Sequence, residues 1–449
     1  MNKNAALFLS GKGDLTFPEL LDKVQNYMSE NYKELLNGTG KDKSELLISE
    51  IRRFLTENRL GVDGMSQDET IKKLYREMSE YSFLTPYLNF EVKNVEGIEI
   101  CSPESIWIKY AGGKEIRSEE HFFSASHAKN VMARLLHKSG IAMDNTRPLV
   151  RGHLGKNIRI TVNGGGGTLD DDVGVTASIR FVNPNNLTRD DLIENGTLTP
   201  EMMDFLICAY RYGCSTMLAG ETDAGKTTLI SIIMYESVPN DKKLYTIEYG
   251  TREFNLEKRD EDGRICNKVV HTITRESDDP KLVITPQMLI EHGMTMNPDY
   301  ICMAEVKGSE AFETIEAAET GHPVIGTVHA DSVEDIPNRL VPLASMKSSS
   351  LSEKTLYYLV SKAFPILIYA RKMEDGKRRV TDICECKPKN NLPEITPLWK
   401  YNVDYNETIS GNTVIHGKFV KCGVISENLQ RHLRGKGMPE NMIQKFVKG

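Results

Sequence analysis

No run in this chain approaches 18 consecutive apolar residues, so no transmembrane helix is expected. Phe364-Pro365-Ile366-Leu367-Ile368 is too short to span and reads as a buried strand. The opening Met-Asn-Lys-Asn lacks an apolar core, so no secretory leader is expected. Paired cysteines are scarce. Of eight, Cys101, Cys208, Cys214, Cys266, Cys302 and Cys422 stand apart, mostly among apolar or small neighbours. Only Cys384-Glu385-Cys386 is close-paired, and one C-x-C without a second pair is a poor zinc signal. Scattered thiols suit a reducing, cytoplasmic compartment. Excess positive charge is also missing, since the formal net charge is −7. Without a stripe of interleaved aromatic and basic residues, no direct nucleic-acid binding is expected.

What is present suits two or three domains: 449 residues, 39% of them apolar. Residues 1–80 carry apolar residues at helical spacing. Leu20-Leu21, Val24 and Tyr27-Met28 form one stripe, and Leu46-Leu47-Ile48, Ile51 and Phe54-Leu55 another. Breaks fall at Gly38-Thr39-Gly40 and Gly61-Val62-Asp63-Gly64. This reads as a helical N-terminal extension, either packed on its neighbour or serving as a partner-docking arm; the first is the commoner case.

Residues 81–185 read as a small α+β domain. Ile98–Ile100 and Ser105–Tyr110 alternate as strands, with a turn at Gly112-Gly113. A helix follows from Ala125 to Leu136, then strands at Ile158–Val162 and Val175–Phe181. Gly164 to Gly167 reads as a mobile loop, because no Lys and no helix follow to make a phosphate cradle. Asn183-Pro184-Asn185-Asn186 reads as a linker. Residues 190–449 form the third block, α/β in its first part because strand and helix alternate there. Its end reads as a helix from Ser352 to Ala363 and a hairpin turned at Asp375-Gly376. Short strands and a closing basic helix finish the chain.

One stretch organises that third block. Gly220-Glu221-Thr222-Asp223-Ala224-Gly225-Lys226-Thr227-Thr228 fits G-x-x-x-x-G-K-[ST], between a short apolar strand and a helix. Glycines let the backbone wrap phosphates with its N–H groups turned inward, and the helix N-terminus adds partial positive charge. The motif assigns Lys226 to the β- and γ-phosphates of ATP and the Thr227 hydroxyl to Mg²⁺. Three further strands end in polar residues: Glu248, Glu305 and His329. Open α/β sheets bind ligands at the carboxyl ends of strands, so these three are expected to face the phosphate loop together. Glu305 suits polarising water or organising it near Mg²⁺, and Glu248 suits the metal's water shell. Each is also what an ordinary surface glutamate at a strand end looks like. His322 and His329 bracket a Gly/Thr-rich stretch and suit γ-phosphate sensing. Arg159, Arg180 and Arg252 are the arginines best placed to add positive charge to a transferring phosphoryl group.

Four segments carry a family resemblance: the phosphate loop, Thr246-Ile247-Glu248, Asn297-Pro298-Asp299 through Glu305 to Gly308, and Thr320-Gly321-His322 through His329 to Ser332. They resemble the Walker A motif, Asp box, atypical Walker B motif and His box of the type II and type IV secretion ATPases. Weaker similarity from Ile98 through Ile179-Arg180 to Glu385 resembles the tight-adherence (Flp pilus) and conjugation-type branch. The tetracysteine zinc module of the type II branch is absent. The resemblance implies a RecA-like P-loop ATPase domain preceded by a small α+β domain and an N-terminal helical segment. It also implies a homo-hexamer, peripheral at the cytoplasmic membrane, working with a polytopic inner-membrane platform protein. ATP hydrolysis would then drive pilus assembly or substrate transfer. The alternatives are a nucleotide-binding scaffold ring with weak hydrolysis, or a nucleic-acid translocase on the same core. The chain departs from the family pattern at Asp223, where Gly is usual, at Tyr249 in place of Asp, and at Thr295, Asn297 and Lys307 in place of Arg. A carboxylate at 223 costs electrostatically near phosphates unless it points outward or is paired.

Overall fold

The computed structural model describes residues 15–32, 41–110, 114–138, 140–155, 157–181, 187–277, 279–409 and 411–447. The expected breaks at Gly38–Gly40 and Gly112-Gly113, the linker Asn183–Asn186 and the opening Met-Asn-Lys-Asn lie outside them. The chain divides into two compact units, Met1–Pro184 and Asn185–Gly449.

In the first unit, helices Phe17–Asn31, Lys41–Asn58 and Gln67–Ser79 bury one apolar stripe each. Leu20, Val24 and Met28 meet Ile51, Leu55, Ile71 and Leu74 in one cluster. Period-3.6 spacing puts these residues on single faces, which is why the stripes are legible in sequence. Ser66 and Glu69 cap the third helix reciprocally, with Ser66 N donating to Glu69 Oε2 at 3.0 Å. The helices are not a free arm. Arg134 donates to the Glu77 and Glu80 carbonyls at 2.7 and 3.0 Å, and Phe17 packs on Phe123 with ring centroids 5.5 Å apart.

The adjoining antiparallel sheet runs β3-β2-β1-β6-β5-β4. Its strands are β1 (Val95–Ile100), β2 (Ile106–Tyr110), β3 (Glu115–Arg117), β4 (Leu149–Leu154), β5 (Ile158–Asn163) and β6 (Thr176–Phe181). Helix Ala125–Lys138 packs on one face. Strands β3 and β4 are not among the strands expected from sequence. One is short and fully exposed, and the other, Leu-Val-Arg-Gly-His-Leu, carries little apolar alternation.

The second unit is built on a nine-stranded sheet ordered β15-β14-β13-β12-β7-β11-β10-β8-β9. Its parallel part is β7 (Thr216–Gly220), β8 (Lys243–Glu248), β9 (Lys268–Ile273), β10 (Tyr300–Val306), β11 (Val324–Val328) and β12 (Ile366–Lys372). Antiparallel β13 (Arg378–Lys389), β14 (Leu392–Ile409) and β15 (Asn412–Lys421) extend it. Both faces of the parallel part are covered, so its central strands are apolar throughout. Leu218, Cys302, Ala304 and Ile325 pack on one side with helices Pro200–Arg211 and Lys226–Ser237. Met217, Ala219, Ile301, Met303 and Val324 pack on the other with helices Pro286–Thr295, Ala311–Glu319, Asp335–Ser345 and Glu353–Ala363. This is a RecA-like α/β layer structure.

Two details differ from expectation. The strands after 390 are long: β14 has 18 residues, and from Tyr401 onward it pairs only with β15. Two short helices, Glu427–Gly435 and Glu440–Val447, close the chain instead of one. Burial pushes the Cys384 and Cys386 thiols up to about 12, which keeps them protonated in an apolar cluster. No helix among the described residues is long and apolar enough to cross a membrane.

Candidate functional site

β7 is buried at every position and delivers its last residue, Gly220, against Ala370 of β12. A Cβ on Gly220 would lie 2.2 Å from the Ala370 carbonyl oxygen, so only glycine fits there. The chain then turns through Glu221–Ala224. Gly225 stands at φ +83°, a left-handed conformation natural to glycine, and starts helix Lys226–Ser237. No side chain caps that helix, whereas Thr199, Thr285, Ser352 and Ser426 cap the helices that follow them. Lys226 is buried, and its Nζ donates to the Gly220 and Glu221 carbonyls at 2.7 Å each. The loop is therefore wrapped around an ammonium at an uncapped helix N-terminus. That donor set fits the phosphates of a nucleotide, and Thr227, in the first helical turn, offers the hydroxyl for Mg²⁺. A cavity of ≈390 Å³ opens beside it, lined by Gly220 and Glu221 and by His329, Asp331, Asp335 and Arg339.

Asp223, the departure inside the loop, stands at φ +69°, a region Asp tolerates better than most residues. Its carboxylate is paired: Oδ1 lies 3.3 Å from Arg378 Nη2 and Oδ2 lies 3.6 Å from Lys372 Nζ.

Strand order brings the next two residues together. β11 lies between β7 and β10, so His329, directly after β11, stands between the phosphate-loop edge and the end of β10. Glu305, next to last in β10, receives it there. His329 Nε2 is 3.3 Å from Glu305 Oε1, and Lys307 Nζ is 3.2 Å from Oε2. Glu305 stays accessible, its side chain 30% exposed. At a strand spacing of about 4.8 Å it sits roughly 10 Å across the sheet from β7, a gap a metal-bound triphosphate and its water shell can fill.

Lys307 is itself positioned. Its Nζ lies 3.8 Å from the centroid of the Tyr249 ring, and the Tyr249 hydroxyl donates to Glu310 Oε1 at 2.7 Å. Burial and the Glu310 carboxylate raise the Tyr249 phenol above its usual range, so it stays a donor. Glu310 also accepts from Lys307 N and Gly308 N, at 2.7 Å each. Sequence reasoning missed Glu310, and it marked Lys307 only as a departure from Arg, without its contact to Glu305. The only signal available was the sequence Glu305-Val306-Lys307-Gly308-Ser309-Glu310, which does not say where either side chain points.

Three expected site residues of the second unit are placed elsewhere. Glu248 is fully buried and does not face the loop. Its Oε2 accepts from the backbone N–H groups of Glu253 and Phe254, the latter at 2.9 Å. Its Oε1 accepts from Thr246 Oγ1 at 3.0 Å and meets His271 Nδ1 at 3.1 Å. Glu248 is a latch that folds the 249–256 loop back over the sheet. His322 sits before β11, at the end opposite His329, with its Nδ1 3.1 Å from the Pro298 carbonyl. At about 3.3 Å per residue the intervening strand holds the two histidines on the order of 20 Å apart, so they form no joint phosphate sensor. Arg252 braces its own loop, donating to the Phe254 carbonyl at 3.1 Å and pairing with Glu257 at 3.0 Å. Arg159 and Arg180 belong to the first unit, where they stand opposite each other in the β5–β6 register.

Comparison with known proteins follows the same lines. A family model described as "Type II/IV secretion system protein" matches residues 126–375. A putative conjugal transfer protein of Mycobacterium tuberculosis is 23% identical over 337 residues, covering 73% of this chain and 91% of that protein. The type IV secretion system protein PtlH of Bordetella pertussis is 29% identical over 185 residues, 40% of this chain and 52% of its own. The solved structure of the pilus retraction motor PilT with bound ADP gives a TM-score of 0.47 at 14% identity, covering 82% of this chain and 90% of that one.

Proposed function

This chain belongs to the type II/IV secretion system protein family, and we propose that it is a Mg²⁺-dependent ATPase driving pilus assembly or substrate transfer across the cell envelope. It works as a homo-hexamer, cytoplasmic and peripheral at the membrane, on a polytopic platform protein. The names of its relatives, a conjugal transfer protein and a type IV secretion protein, support that setting.

The observation that carries the enzymatic reading is the shared sheet edge: the wrapped Lys226 at an uncapped helix start, with Glu305 and His329 two strands and one strand away. Bound Mg²⁺ would neutralise phosphate charge and orient the terminal phosphoryl group. Lys226 leaves the loop carbonyls for the β- and γ-phosphates. The loop amides and the helix start hold the remaining phosphate oxygens. Thr227 would ligate the metal. Glu305 orients the attacking water and accepts its proton, and Lys307 and His329 hold the carboxylate in place. His329, at the end of the strand between the other two, reports on the terminal phosphate.

The test is steady-state phosphate release from the full chain. Wild type is expected to hydrolyse ATP, and Lys226→Ala to abolish hydrolysis. Equal silence of both under every assembly condition sinks the motor reading. A second reading, a scaffold ring that binds nucleotide and turns it over slowly, draws on Asp223 in the loop; it predicts Lys226-dependent binding with negligible phosphate release.

A further inference from the structure

We propose that Arg378, at the start of β13, is a positioning residue that makes this phosphate loop competent for a polyanion despite Asp223; this rests on the ATP reading above. A carboxylate inside a phosphate loop repels the ligand the loop is built for. Arg378 answers it in two ways at once. Its Nη2 pairs with the Asp223 carboxylate at 3.3 Å, and its Nε donates to the Asp223 main-chain oxygen at 2.8 Å. The first contact offsets the charge. The second holds the left-handed turn at φ +69°. The stem of Arg378 also lies over the loop: its Cδ is 3.1 Å from the place a Cβ on Gly225 would occupy.

Arg378 is not a wandering surface cation. The turn that carries it is closed by Arg379, whose two guanidinium nitrogens meet the two Asp375 oxygens at 2.8 and 2.6 Å in a buried fork. Met373 N donates to the Lys377 carbonyl at 2.9 Å across the same turn, and Val380 N donates to the Thr197 carbonyl at 2.8 Å. Lys372, on the facing strand, adds a second cation 3.6 Å from Asp223. Asp223 and Arg378 thus act as one unit, in which the second residue corrects what the first does to the loop.

The experiment is a titration of the full chain with a fluorescent Mg·ATP analogue, with a melting curve for each variant. Arg378→Met is expected to weaken binding about tenfold or more, and the loss to shrink at high salt because it is electrostatic. Arg378→Lys recovers part of it through charge alone. The double variant Asp223→Gly with Arg378→Met binds within about threefold of wild type, and Asp223→Gly alone binds at least as tightly as wild type. Binding that depends on Lys226 but is unchanged in Arg378→Met overturns this inference while leaving the ATP reading in place. A loss in Arg378→Met that Asp223→Gly does not recover also overturns it. Equal binding by wild type and Lys226→Ala overturns the ATP reading, and this inference with it.

Discussion

Glu248 ends β8 and Glu305 stands next to last in β10, two parallel strands of one sheet that are direct neighbours. Both follow apolar runs, and both read as carboxylates offered at the ligand-binding edge. Their surroundings are opposite. Glu248 has no exposed surface and meets two backbone amides, a threonine hydroxyl and a histidine. Glu305 is 30% exposed and touches two side chains, the His329 imidazole and the Lys307 ammonium. A carboxylate whose acceptor sites are filled by its own protein has little capacity left for water or metal. One that meets only two side chains and stays partly exposed keeps acceptor sites open to a water. The difference arises after each strand. The chain beyond Glu248 folds back and buries Phe254 and Leu256 over it, while the chain beyond Glu305 turns away into helix Ala311–Glu319.

Exchanging the two carboxylates for inert groups should break this contrast cleanly. Glu305→Gln is expected to lower turnover by about 100-fold or more, the usual scale for a lost general base, with ATP affinity and melting temperature close to wild type. Loss of ATP binding in this variant would show that Glu305 has another role. Glu248→Ala should do the reverse in kind. It leaves two buried amides without their acceptor and is expected to cost about 2–4 kcal/mol of folding stability in urea denaturation. A variant as stable as wild type would remove the latch assignment. The histidines sharpen the same contrast on a smaller scale. His329→Ala is expected to lower kcat about tenfold at unchanged stability. His322→Ala loses one bond to the Pro298 carbonyl and is expected to cost about 1 kcal/mol with kcat retained. Equal kinetic effects at both positions would mean that the strand between them does not separate their roles.

Much of the frame is legible in local sequence pattern. The helical stripes at Leu20–Met28 and Leu47–Leu55, the buried β7, the turn at Asp375-Gly376 and the phosphate loop all rest on local rules: apolar period, glycine conformation and strand–loop–helix order. The weakly patterned β3 and β4 are not legible, because a short exposed strand and one with little apolar alternation carry no period to detect.

The sequence by itself determined which residues end strands, which loop wraps a phosphate, and that Asp223 would need a partner. Only the tertiary structure decided which strand ends share an edge. β11 enters between β7 and β10 although it follows both in the chain, and that insertion pairs His329 with Glu305. It also decided that Asp223 meets Arg378, 155 residues away. The reason is physical: periodicity records whether a side chain faces a core or solvent, whereas strand order and loop return are settled by the packing of segments distant in sequence, and that packing selects which carboxylate is buried and which stays open to react.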